Sequence, residues 1–355
     1  IHTVRSFGTS QSRLRMVKII FTLLVFASAG LAQSSSDETS SVPYSQDVDF
    51  SPAPSLMGAE TSRSQGGALA SSLVGRERVS LATIRAEVQE VNLTFTATDH
   101  HGHFVRNLGL SDFTIQDNGE PPERITDFES QSELPLRLAM VIDRSDSVAY
   151  AFNDTKRSAA FFLKNILRWT SDVALVMGFN QEVSFVQEPA NDTSLLSHAI
   201  QTLPSGGYTA IYDAVSAACQ QLAKVRDTQT VRRVIILITD GEDNSSHIGL
   251  KQAEEIAQRN ECAVYVMSIN AEIDRELERA DRAMKELSEV TGGNFLRVRA
   301  GGLKTPFSNI DKELRSQYLI SYKPANVRPD GSFHRLVVLG PKKLKIHHRD
   351  GYFAR

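Results

Sequence analysis

Asp143, Ser145 and Ser147 stand in the run Asp143-Arg144-Ser145-Asp146-Ser147, directly after the apolar stretch Leu138-Ala139-Met140-Val141-Ile142. Two short hydroxyls two residues apart beside a carboxylate are hard oxygen donors. That is the donor type a magnesium or manganese ion takes while keeping several waters in its octahedron. Two more segments carry the same chemistry. Thr209 lies in the Gly-rich loop Ser205-Gly206-Gly207-Tyr208-Thr209-Ala210, which leads into a helical stretch, and Asp240 ends the buried run Ile235-Ile236-Leu237-Ile238-Thr239 ahead of Gly241. Singly, each of these residues is an ordinary helix cap or turn former. Jointly, at three neighbouring loops, Asp143, Ser145, Ser147, Thr209 and Asp240 form the all-oxygen set that a Mg²⁺ (or Mn²⁺) site needs.

The elements that must position this set alternate in type between Leu136 and Ser316. Apolar strands are expected over Leu136–Ile142, Val173–Phe179, Val183–Val186, Val234–Thr239, Ala263–Ile269 and Asn294–Val298. Helical patterns fall between and after them, over Asp154–Arg168, Ser194–Leu203, Ala210–Lys224, Gly249–Arg259, Glu276–Val290 and Phe307–Arg315. Unbroken apolar strands alternating with amphipathic helices predict an α/β domain over 135–316, with a doubly wound, mostly parallel six-stranded sheet covered on both faces. Ligands of such sheets bind beyond the carboxyl ends of the strands.

On either side of this core the period drops to two. Val79–Ile84, Val91–Thr98, Phe113–Ile115 and Arg124–Phe128 read as half-buried strands within an N-terminal β segment, 75–134. Tyr318–Tyr322, Phe333–Leu339 and Leu344–His347 read likewise within a C-terminal segment, 317–355, with Asp330-Gly331 as a hairpin turn. Neither set is a robust domain alone. The economical expectation is one small β-sandwich-like module made by both, with the α/β core inserted between; the alternative is that each docks on the core separately.

Met16, Lys18, the apolar run Ile19–Ala27 and the small residues Gly30 and Ala32 read as a signal peptide over 16–32, with 1–15 as upstream translation. The Ser-, Gly- and Pro-rich stretch 33–74 reads as a disordered linker. The expectation is export to the periplasm, cell surface or medium, with no stable membrane span once the signal is removed. The chain carries a net charge of −3, and residues 1–32 hold four bases and no acid. The acidic remainder disfavours a nucleic-acid surface. Two cysteines, Cys219 and Cys262, exclude a disulfide scaffold or a cysteine-based metal framework, and whether they pair stays open.

The D-x-S-x-S run, the distant Thr209 and the distant Asp240 resemble the metal-ion-dependent adhesion site of the von Willebrand factor type A domain. The wider chain, from about Val79 onward, resembles the bacterial secreted VWFA-related acidobacterial domain family. That likeness rests on Gly109-Leu110-Ser111-Asp112-Phe113, Asp117-Asn118-Gly119-Glu120-Pro121, Thr239-Asp240-Gly241-Glu242-Asp243-Asn244-Ser245, Leu314-Arg315-Ser316-Gln317-Tyr318-Leu319 and Arg349-Asp350-Gly351-Tyr352. The resemblance implies that Ser145 and Ser147 coordinate the cation directly, Thr209 directly or through water, and Asp143 and Asp240 mainly through waters. It also implies binding and adhesion rather than turnover: a protein partner offers an Asp or Glu carboxylate to the metal. One departure is Asp146, where the family often has Gly between the serines.

Signatures of catalysis are missing: there is no G-x-S-x-G, no phosphate-binding G-x-x-x-x-G-K-[ST], no H-E-x-x-H and no G-x-G-x-x-G opening a helix. A Mg²⁺-dependent hydrolase using the same cation is the alternative, with Asp146 and Asp213 as the available bases; a structural surface protein with a vestigial site is another. Asp213 and Asp243 read as network or turn residues rather than ligands, and His100, His101, His103, His347 and His348 as solvated or structural.

Overall fold

The computed structural model describes residues 90–355, less 131–132, 270–274, 300 and 327. All of these fall in one unit, Leu81–Arg355. The expected signal segment, the linker and the strand expected over Val79–Ile84 lie outside the described residues. In chain order the elements are β1 (Val91–Thr98), β2 (Thr114–Asp117), β3 (Arg124–Glu129), β4 (Leu136–Asp143), α1 (Phe152–Ile166), β5 (Val173–Phe179), β6 (Val183–Ala190), α2 (Thr193–Thr202), α3 (Ile211–Lys224), β7 (Arg232–Thr239), α4 (Leu250–Arg259), β8 (Cys262–Ile269), α5 (Arg275–Thr291), β9 (Phe295–Val298), α6 (Lys304–Leu314), β10 (Tyr318–Lys323), β11 (Phe333–Leu339), β12 (Lys345–His348) and β13 (Gly351–Phe353).

The central sheet has the order β6-β5-β4-β7-β8-β9, parallel throughout except for β6, which runs antiparallel to β5. Its strands are apolar on both faces because both faces are covered. Leu138, Met140 and Ile142 of β4 pack with α1, α2 and α6, whereas Ala139 and Val141 pack with α3, α4 and α5. All five are fully buried. Leu138, Met140, Val141 and Ile142 each contribute roughly 1.5–3 kcal/mol by leaving water, so the alternation commits β4 firmly to its register. From β4 the chain winds outward to β5 and β6, then returns to β7 on the other side and continues to β8 and β9. The order therefore reverses between β4 and β7, which is where an open sheet of this kind leaves a crevice at its carboxyl edge.

Two antiparallel sheets flank this body: β12-β1-β10-β3 and β13-β11-β2. Each mixes strands from before and after the α/β region, and one core containing Leu93, Phe95, Ile115, Tyr318, Ile320, Leu336 and Val338 lies between them. A buried polar knot links the two sheets. Asp117 of β2 accepts hydrogen bonds from the hydroxyls of Tyr322 (2.9 Å) and Tyr352 (2.7 Å), and its other oxygen lies 2.7 Å from His334 Nδ1. A buried carboxylate is tolerable because its lone pairs are answered in this way.

The reading of Asp330-Gly331 as a hairpin turn is corrected here. Gly331 does adopt the left-handed conformation, with φ +74°. The strands on either side do not pair, however: β10 pairs with β1 and β3, and β11 with β2 and β13. The turn carries the chain from one sheet to the other.

Candidate metal centre

Asp143 is the last residue of β4 and is 2% exposed; Ser145 is 1% exposed, and Ser147 opens to the surface. The local chain is bent so that the Ser145 N–H donates to Asp143 Oδ1 at 2.9 Å and the two serine Oγ atoms lie 3.1 Å apart. A short 3-10 turn, Asp146–Val148, makes that bend. Asp146 itself is exposed, so the additional carboxylate faces solvent.

Asp240 follows β7, the strand next to β4, and is buried. Its neighbour Thr239, fully buried, donates its hydroxyl to Asp143 Oδ2 at 2.6 Å, joining the ends of the two strands. Burial pushes the Asp143 carboxyl up to about 6; the hydrogen bonds from Ser145 and Thr239 oppose this, and the nearby Asp240 charge adds to the rise. Such a carboxylate gains from a positive charge placed beside it.

Thr209, 2% exposed, lies two residues ahead of α3. The loop after Asp240 holds it. Thr209 N–H donates to Asn244 Oδ1 at 2.9 Å, and the N–H groups of Asn244 and Ser245 both donate to the Thr209 carbonyl at 3.0 Å. The first N–H groups of α3 lack partners within the helix and find them in the same loop: Ile211 N–H donates to Asp243 Oδ1 (2.7 Å), and Tyr212 N–H to Ser246 Oγ (3.0 Å). Asp213 accepts from the backbone of His247 and Ile248 and contacts the His247 ring at 2.7 Å. Although burial works the other way, these bonds hold its carboxyl below the usual range. Asp213 and Asp243 are thus network and capping residues.

A third loop completes the frame. Asn180, just past β5, donates from Nδ2 to the Gly206 carbonyl (2.7 Å), while its own carbonyl accepts from Ala210 N–H (2.8 Å). Asp146 N–H donates to the Gly207 carbonyl at 3.1 Å, linking the serine loop to the glycine loop. Gly207 has φ +104°, a conformation that side-chain-bearing residues rarely adopt, so glycine suits this turn. Thr239, Asn180, Asn244 and Ser246 were not singled out from the sequence. The run Asp243-Asn244-Ser245-Ser246, rich in capping residues after a strand, was the available signal for two of them.

The structure thus brings Asp143, Ser145 and Ser147 into direct contact, with Asp240 beside them through Thr239 and Thr209 tied to the same loop system through Asn244. Among the described residues no three His, Cys, Asp or Glu gather as a metal-holding group. The donor set divides instead between two carboxylates and three hydroxyls, a composition suited to a hard cation that keeps part of its water shell.

Residues 138–300 match the family model of the von Willebrand factor type A domain, and the α/β body is such a domain. Similar solved structures include the conserved hypothetical protein BatB from Bacteroides thetaiotaomicron, with 19% identity over 50% of this chain and 97% of that one and a TM-score of 0.41. The vWF domain of the type V pili tip protein Mfa5 from Porphyromonas gingivalis is similar at 14% identity, over 50% of this chain and 94% of that one, with a TM-score of 0.41. The PilB minor pilin from Streptococcus sanguinis matches at 14% identity over 53% and 63% of the two chains, with a TM-score of 0.42. No curated protein matches the chain.

Proposed function

We propose that this protein binds a protein partner through a divalent cation, Mg²⁺ or Mn²⁺, held by Ser145, Ser147 and Thr209 with Asp143 and Asp240 acting through water. The observation that carries the reading is the convergence of buried oxygen donors at the reversal point of the sheet: Asp143 and Ser145 in contact, bridged by Thr239 to the end of the strand that Asp240 follows. When bound, the cation would supply an electrophilic position that a carboxylate from the partner can fill. The chain's own groups orient it. Two hydroxyls at 3.1 Å present paired neutral oxygens, which would leave a bound cation's charge less quenched than an all-carboxylate cage would.

Binding suits the surroundings better than hydrolysis. Asp213, one of the two bases a hydrolase would use, is occupied by His247 and Ile248, and Asp146 is exposed. Tyr208, beside Thr209, is 70% exposed, and Tyr150, three residues past Ser147, is 55% exposed. Exposed aromatic side chains of this kind often anchor protein interfaces. The reading includes export by the segment 16–32 and a wider kinship with the VWFA-related acidobacterial family, supported by the strands that flank the domain on both sides. Among the described residues no helix is long and apolar enough to cross a membrane.

Calorimetric titration of Mg²⁺ and Mn²⁺ into the protein, alongside Ser145→Ala, tests the proposal. Saturable binding lost in the variant supports it; unchanged affinity in the variant overturns the site. A cation-dependent pull-down, abolished by chelation and by Ser145→Ala, then tests the partner.

A further inference from the structure

A second polar site lies at the opposite edge of the central sheet, where β7 and β8 begin. Here Arg232, Arg233 and Arg349 line one cleft, which extends to Asn92 of β1 and Glu261 ahead of β8 and holds about 60 Å³ of space open to water. The Nε–H of each of these three arginines is buried without an acceptor. A buried donor left unpaired costs about 1–3 kcal/mol; these Nε–H groups are enclosed, so an ion in the cleft would meet the outer edges of the guanidiniums that line it.

The remaining contacts of the three side chains do not neutralise them. Arg232 donates to the carbonyl of Leu314, to Gln317 Oε1 at 2.7 Å and to the Leu134 carbonyl at 3.3 Å, all uncharged acceptors. Arg349 donates to the Asn92 carbonyl at 2.9 Å and approaches Glu261 only to 3.9 Å. Arg233 lies 3.5 Å from Asp227, which Arg137 already engages at 2.8 Å. Arg137 and Arg233 therefore share Asp227, Arg349 has only the distant Glu261, and Arg232 feels Asp172 and Glu133 without a direct contact while Arg168 opposes them. Burial also pulls the Arg232 guanidinium below its ordinary pKa, as expected where its charge is incompletely answered.

We propose that this cleft, between the α/β domain and the β1-β10 face of the flanking sheet, binds a small tetrahedral oxyanion of the phosphate or sulfate class through Arg232, Arg233 and Arg349. The size fits: about 60 Å³ corresponds to a handful of waters at roughly 10–15 Å³ each, the room an ion of that class displaces. Guanidinium forks match the geometry of oxyanions, which a spherical chloride does not exploit. The ion would join Arg349, from the turn between β12 and β13, to the arginine pair of β7. It would thereby fasten the flanking module to the domain.

The test is calorimetric titration of inorganic phosphate, and separately sulfate, into the whole protein at constant ionic strength, with chloride as the reference. Saturable binding by the wild type, weakened at least about tenfold in Arg349→Gln and in Arg233→Gln but not in Arg259→Gln on the exposed face of α4, supports the site. Low concentrations matter, because phosphate and sulfate stabilise proteins generically when concentrated. Absence of saturable binding up to about 10 mM in the wild type overturns the proposal whatever the variants do. Equal binding in wild type and both cleft variants, with folding checked by circular dichroism, also overturns it.

Discussion

Asn244 holds Thr209 by both the N–H and the carbonyl of its backbone: Thr209 N–H donates to Asn244 Oδ1 at 2.9 Å, and Asn244 N–H donates back to the Thr209 carbonyl at 3.0 Å. The hydroxyl that would complete the metal set is therefore positioned by the loop that follows Asp240. Replacing Asn244 with Ala removes the side-chain half of this grip without touching any of the five oxygen donors. Cation affinity is expected to fall roughly tenfold, the usual scale for losing a group that orients a metal ligand. Titration of Mn²⁺ into Asn244→Ala checks this; affinity equal to wild type would show that Thr209 needs no such support.

Thr239→Val preserves shape and removes the hydroxyl that donates to Asp143 Oδ2. Both residues are buried, so the carboxylate oxygen loses its donor inside the fold. A loss of about 1.5–3 kcal/mol in folding stability is expected in chelator, the range for a hydrogen bond to a charged group. Urea denaturation measures it, and a variant as stable as wild type would contradict the bridge.

Asp172 predicts how stability responds to acid. Burial alone would raise its pKa, but hydrogen bonds from the Arg168 guanidinium, the Leu136 and Arg168 N–H groups and the Ser171 hydroxyl outweigh that and hold it below its ordinary 3.8. A carboxyl lowered in the fold adds stability above its unfolded pKa and loses it as pH falls through the folded value. Asp172→Asn should therefore be less stable than wild type at neutral pH, with the gap closing below about pH 4. Denaturant midpoints at stepped pH decide the matter; a gap that stays constant into acid counts against it.

Cys219 and Cys262 are free thiols, 0% and 1% exposed. Burial, with the adjacent Cys262 thiol, raises the Cys219 pKa well above its ordinary value. Neither should react with iodoacetamide in the native protein, since both thiols are inaccessible and the Cys219 thiolate, the nucleophilic form, is also scarce. Both should react after unfolding. Intact-mass measurement before and after denaturant reads the difference, and rapid native labelling would show that α3 or the start of β8 opens readily.

The α/β body was legible in the sequence because each of its elements announces itself locally. Val173–Phe179 appears as a strand over the same residues as expected, and α3 begins within one residue of its expected start. Gly292-Gly293 ends α5 by its own local chemistry: Gly292 takes φ +78° and Gly293 N–H closes back on the Ser288 carbonyl at 2.9 Å. What the sequence could not show is which strand pairs with which. Asp330-Gly331 has the chemistry of a turn whether the next strand folds back alongside or crosses to another sheet, and here it crosses. Gly351–Phe353 is too short for a period to show, yet it forms β13. At the candidate site, residues that could serve as ligands were recognisable by type and spacing. Thr239, Asn180 and Asn244 were not, because their roles are contacts across loops distant in sequence.

β1 lies between β12 and β10, with Phe95 opposite both His348 and Tyr318. A tension applied between residue 90 and residue 355 would therefore load the interstrand bonds of the flanking sheets first. The α/β domain, entered through β3 and left through β10, which are themselves paired, sits outside that line of force. Strain between these two points would be taken up by the pairing of β1, β10 and β12 before it reached the geometry around Asp143 and Ser145.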